Sequence, residues 1–182
     1  MASLGSTARR RNGPRASRAP TASTGTAKDR ALGLLAVRWR SRDELRRRLL
    51  RAGFEPPEVE SALADLEGVG LVDDARFARE VVREQAGRRL SGRRAIRDAL
   101  RQKGVATETM EEALRETGDE AERALELAIR RAARMSGLTP EAAYRRLYGL
   151  LIRRGYDPDT AREACRGALA AASHPDGGAD GV

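Results

Sequence analysis

The sequence repeats one short pattern three times: LLRAGF at 49–54, LRQKGV at 100–105 and LIRRGY at 151–156, with Gly53, Gly104 and Gly155 spaced 51 residues apart. This period constrains the architecture before any local reading does. A unit of about 50 residues is marginal alone and gains stability by leaning on its neighbours. Four residues before each glycine stand Leu49, Leu100 and Leu151; eight before stand Leu45, Ile96 and Leu147. One residue after come Phe54, Val105 and Tyr156, and the pairs Ala62/Leu63, Ala113/Leu114 and Ala164/Cys165 keep the same register.

Each unit reads as three helices. Ser41 followed by Glu44 is the reciprocal capping signature of a helix start, and Gly53 supplies the left-handed residue that closes it. Pro56, Pro57 and Pro158 sit where a first helical turn tolerates a missing N–H. Upstream of each helix pair runs another apolar-periodic segment, at 31–37, 77–82 and 125–129. No stretch alternates as a strand would. The expected fold is all-α: tandem three-helix repeats over 27–70, 71–118 and 119–172, in an elongated curved array. Residues 1–26 hold five Arg and no acid among mostly small residues, a composition that cannot bury a core. They read as a disordered basic tail, and 173–182 as a second tail. An Arg/Ser-rich start resembles a mitochondrial transit peptide, but Gly13, Pro14 and Pro20 interrupt the amphipathic helix such a peptide needs.

The formal charge of +8 hides a segregation. Residues 88–104 hold seven Lys/Arg against Asp98, whereas 55–67 hold five acids and no base, and 108–122 seven acids against Arg115. The middle helix of a repeat is basic and the last acidic. On a helical wheel Arg93, Arg94, Arg97 and Arg101 form one band beside the apolar face of Ile96, Ala99 and Leu100. Such a band is often only a solvated face. Seven bases against one acid, however, is crowding that a purely structural helix would avoid. Arg88, Arg89, Arg93, Arg94, Arg97, Arg101 and Lys103 are therefore the expected partner- or nucleic-acid-binding residues, with Arg153 and Arg154 at the matching end of the last repeat; Arg145 and Arg146 are the fallback beside them.

Catalysis finds little footing. The one His is His174 near the end of the chain, the one Cys is Cys165 at a core offset, and neither a Gly-rich phosphate loop nor a metal-ligand spacing occurs. No cofactor and no metal are expected. A single Cys forbids an intramolecular disulfide, and no run approaches the roughly 20 apolar residues of a membrane span, which together suggest a cytoplasmic protein.

From about residue 28 to 170 the chain resembles the RecX family of RecA regulators. The motifs that carry the resemblance are GLVDDARFA with Asp74, Phe77 and Ala78, SGRRAIRDALRQKGV with Gly92, Ile96, Leu100, Lys103 and Gly104, and LLIRRGYD with Arg154, Gly155 and Tyr156. The resemblance implies a monomeric, non-enzymatic modulator of homologous recombination and DNA repair within the SOS response. It implies binding to RecA and to RecA filaments on single-stranded DNA, with weak direct DNA binding, and restraint of ATP hydrolysis, strand exchange and co-protease activity. Two other readings remain open on the residues alone. One is a helix-turn-helix transcription regulator, although three copies and a basic segment whose only amide side chain is Gln102 argue against base reading. The other is a protein-binding helical scaffold.

Overall fold

The structure, a computed structural model, describes residues 25–135 and 137–173; residues 1–24 and 174–182, where most of the two expected tails fall, lie outside the described residues. All regular structure among the described residues is helical. The first repeat comprises α1 (Ala27–Val37), α2 (Arg42–Arg51) and α3 (Pro56–Gly68). The second comprises α4 (Asp74–Arg83), which runs into one turn of π-helix (Glu84–Arg88), then α5 (Arg93–Gln102) and α6 (Thr107–Arg115). The third comprises α7 (Glu120–Ala132), α8 (Pro140–Arg153) and α9 (Pro158–Ser173).

The repeated apolar positions build three small cores. Leu45, Leu49, Ile96, Leu100, Leu147 and Leu151 are all fully buried, as the 51-residue register requires. The second and third cores each also take one apolar side chain from the repeat before. Trp39 of the first repeat packs on the Phe77/Ile96/Leu100 core, and Leu90 of the second enters the core of Leu147, Leu151 and Tyr156. Trp39 and Leu90 are themselves 51 residues apart. The cores are thus linked by a plug at an equivalent place in each junction.

Between these plugs, helix ends meet. The three glycines have φ of +94°, +73° and +84° at 53, 104 and 155, so each helix turns off through a left-handed residue and leaves carbonyls pointing onward. At the first junction the end of α5 docks on the start of α2: the Ser41 hydroxyl donates to the Lys103 carbonyl, and Arg47 donates to the Gln102 carbonyl at 3.0 Å. At the second, the end of α8 docks on the start of α5, where the Gly92 N–H donates to Arg154 O at 2.8 Å and the Arg94 N–H to Gly155 O at 3.2 Å. A carboxylate at the first residue of the next α-helix completes each junction. Asp74 accepts from the Arg42 N–H at 2.8 Å, and Glu120 from the Arg93 N–H at 2.7 Å.

The Ser41 cap forms only by half. Its hydroxyl accepts from the Glu44 N–H at 3.1 Å, but the Glu44 carboxylate does not return to the Ser41 backbone, being taken by arginines. The reciprocal box forms instead at Thr26 and Asp29, at the start of α1.

Gly155 has no room for a side chain. A Cβ there would lie 2.4 Å from the Ala95 nitrogen, whereas one at Gly118, also left-handed at φ +70°, would meet nothing within 4 Å. Gly118→Ala should therefore cost only its backbone strain, about 1 kcal/mol. Gly155→Ala adds overpacking at the junction and should cost about 3 kcal/mol or more. Chemical denaturation of the two variants checks the difference; equal losses would mean that the third repeat does not dock through Gly155.

Candidate functional site

The basic band on α5 is less free than the sequence suggests. Arg97 makes a two-pronged pair with Glu111 of α6 at 2.7 and 3.1 Å, which holds the guanidinium above and the carboxyl below its ordinary range. Arg93 reaches the Leu114 carbonyl at 3.2 Å, and Arg101 pairs with Asp98 at 2.8 Å. Arg94 is exposed and makes no side-chain bond among the described residues. The first repeat uses the same arrangement, with Arg42 and Arg46 on Glu60 of α3. The acidic third helix of these two repeats thus pairs with one or two arginines of the basic second helix of the same repeat.

The third repeat breaks this pattern. One period on from Arg42/Arg93 and Arg46/Arg97 stand Tyr144 and Tyr148, and one period on from Glu60/Glu111 stands Arg162. The two tyrosines stack on each other, centroids 6.1 Å apart. On α8, Arg145, Arg146 and Arg153 are exposed and make no side-chain hydrogen bond or ion pair among the described residues.

One of these free arginines, Arg153, meets others across the second junction. A groove of about 610 Å³ is lined by Arg88, Arg89, Arg130, Arg131, Arg134, Arg153 and Arg154, with no carboxylate in its lining. Arg88 and Arg89 reach it because the chain leaves the π-turn through Leu90, which has φ +47° and is the one non-glycine residue with positive φ among those described. Two bonds from the third repeat hold this turn: Arg154 donates to the Arg89 carbonyl, and the Tyr156 hydroxyl donates to Leu90 O at 2.8 Å. Burial pushes the Tyr156 phenol up to about 12, so it keeps the proton it donates. Arg89 and Arg130 touch Glu84 and Glu126 at the edges, in pairs more than two-fifths exposed that leave most of the positive charge in place.

The groove continues in both directions. Through Arg153 it joins a depression of about 590 Å³ lined by Arg145 and Arg146. Through Arg88 and Arg89 it joins one of about 830 Å³ at the first junction, lined by Arg38, Trp39, Phe77 and Lys103. Of the residues expected from sequence, Arg88, Arg89, Arg153 and Arg154 come together. Arg93, Arg97 and Arg101 lie apart on α5, bonded to their own repeat. Lys103 faces the first depression but lies 3.4 Å from Glu44, a carboxylate 8% exposed that Arg38 and Arg40 also hold. Arg130, Arg131 and Arg134 escaped the sequence reading. Their signal was the run RRAAR at 130–134, which begins in the last turn of α7 and runs past its end and was read only for its apolar neighbours.

Comparison with known proteins gives one family throughout. Models described as the first, second and third three-helix domains of RecX match residues 27–66, 73–114 and 118–165. The regulatory protein RecX of Prosthecochloris aestuarii is 38% identical over 140 residues, covering 77% of this chain and 91% of that protein. That of Xanthomonas axonopodis pv. citri is 41% identical over 142 residues, covering 78% and 86%. The crystal structure of RecX from Lactobacillus salivarius superposes with a TM-score of 0.70 at 21% identity, over 79% of this chain and 95% of that one, a likeness of fold.

Glu44 yields a prediction about acid stability. Burial alone would raise its carboxyl, but Arg38, Arg40 and Lys103 override this and take it from 4.5 to about 2. A carboxyl depressed on folding contributes stability that is present above its unfolded value and lost as pH falls through the folded one. Glu44→Gln should cost on the order of 3 kcal/mol at pH 7. The difference from the parent should shrink between pH 4.5 and 2 in urea titrations. A penalty independent of pH would remove the ion cluster from the account.

Proposed function

Because the chain belongs to the RecX family, we propose that it is a non-enzymatic regulator of RecA. It binds RecA and the RecA filament on single-stranded DNA as a cytoplasmic monomer, and it restrains ATP hydrolysis, strand exchange and co-protease activity in recombinational repair and the SOS response. The observation that carries this reading is the groove of seven arginines without a carboxylate, built across a junction between repeats and continued along all three. A filament presents a repeating protein surface around a polyanion, and a long basic track on a repeat array is complementary to it. The one thiol, Cys165, is fully buried, and burial pushes it up to about 11, which makes it a poor nucleophile.

A recognition-helix role for α5 fits less well. Such a helix places its N-terminal residues against base edges. Here that end is covered by Arg154 and Gly155, and Arg93 is bonded to Glu120 and Leu114.

The test is the rate of ATP hydrolysis by RecA on single-stranded DNA with increasing amounts of the protein. The parent should slow hydrolysis. The triple reversal Arg130→Glu, Arg134→Glu, Arg153→Glu, all three exposed, should abolish the effect while melting like the parent, since exposed substitutions shift stability little. Arg101→Glu on α5 should retain most of it. An unchanged rate at several-fold excess of the parent would sink the RecA reading, and full inhibition by the triple variant would move the contact away from the groove.

A further inference from the structure

We propose that Trp39 is a base-stacking platform at the first-repeat end of the basic track, so that the track takes a single nucleic-acid strand in preference to a duplex. The inference rests on the reading of the groove as a nucleic-acid surface and goes beyond it.

Trp39 is larger than its packing role requires. It occupies the plug position that Leu90 fills one period later, and there a leucine suffices to link two cores, buried to 6% exposure. The indole at the first junction is only half-buried, and it lines the depression it shares with Arg38, Arg88 and Arg89. It is also held in place. The Arg76 guanidinium covers one face of the ring, 4.1 Å from its centroid, which leaves to a base the part of the half-buried ring open to the depression, and Arg38 donates to the Trp39 carbonyl at 2.9 Å. A ring so fixed loses little freedom when a base stacks on it. Its N–H makes no hydrogen bond among the described residues and is available to a phosphate or base oxygen.

The strand preference follows from what a duplex hides. In a duplex the base faces are already stacked on each other, whereas a single strand can lay phosphates along arginines and turn a base onto an aromatic ring. The acids Glu80 and Glu84 also line this depression and oppose a second phosphate backbone there.

Trp39 is the only tryptophan of the chain, so its emission reports the contact directly. The full-length protein is titrated with oligo(dT) and with a hairpin duplex of equal nucleotide length, following tryptophan emission and the anisotropy of labelled DNA. Oligo(dT) should quench the emission at saturation and the duplex should not. Trp39→Leu, which copies the plug of the second junction, should bind oligo(dT) about tenfold more weakly with duplex affinity unchanged, and Trp39→Phe should fall between. Unmoved emission at saturating oligo(dT), or oligo(dT) affinity of Trp39→Leu equal to the parent's, overturns the proposal. If Trp39→Leu does not fold, the emission of the parent decides alone. The groove reading is tested separately by the triple arginine reversal: oligo(dT) affinity unchanged by it removes the groove, whereas affinity lost there but untouched in Trp39→Leu removes the platform only. Failure of the parent to bind either DNA overturns both.

Discussion

The docking of one helix end on the beginning of another is the contact on which the array depends. An α-helix leaves carbonyls unpaired at its end and N–H groups unpaired at its start, with partial charges of opposite sign. Here the end of α8 faces the start of α5, where N–H groups of one helix meet carbonyls of the other, and the end of α5 faces α2, where the Ser41 and Arg47 side chains take its carbonyls. Close approach needs the missing side chains of Gly92 and Gly155, where a Cβ on either would lie within 2.4 Å of backbone. At the start of α8 the bonds are local instead: Thr139 caps the Ala142 N–H at 3.3 Å, and Pro140 has no N–H to satisfy.

Fixing the middle helices end to end leaves the charge pattern to each repeat. In the first two, Glu60 and Glu111 sit opposite arginines of the preceding helix, and the basic band is largely internal bookkeeping. In the third, the tyrosine pair and Arg162 remove that compensation, and the arginines of α8 remain unpaired. The asymmetry lies in three substitutions at repeat-equivalent positions. It concentrates free positive charge at one end of an otherwise periodic chain.

The period, the three-helix unit and the closing glycines were legible in the sequence because each is a local requirement that must recur at every junction. The α5 band was legible too, but a helical wheel shows which charges share a face and not which find partners on the next helix. The answer lay 14 residues away, where Glu111 follows Arg97 as Glu60 follows Arg46. The groove was only half legible. It draws on residues near 88, 130 and 153, and only the angle between docked repeats brings them together. The failed half of the Ser41 box has a similar cause: Glu44 has the spacing for a local cap, but three arginines and Lys103 compete for its carboxylate and win.

Docking and the groove are one construction. Leu90 is held at φ +47°, a conformation disfavoured for a branched side chain, and such strain persists only where surroundings over-determine it. The surroundings come from the third repeat: its core takes the Leu90 side chain, Tyr156 takes its carbonyl, and Arg154 takes that of Arg89. The same turn aims Arg88 and Arg89 at Arg131 and Arg153. The arginines around one groove repel one another, offset only at its edges, where Glu84 and Glu126 pair with Arg89 and Arg130. What holds the two walls together is therefore the apolar plug and the helix-end bonds beneath them, and a polyanion entering the groove would relieve the repulsion that those contacts otherwise oppose alone.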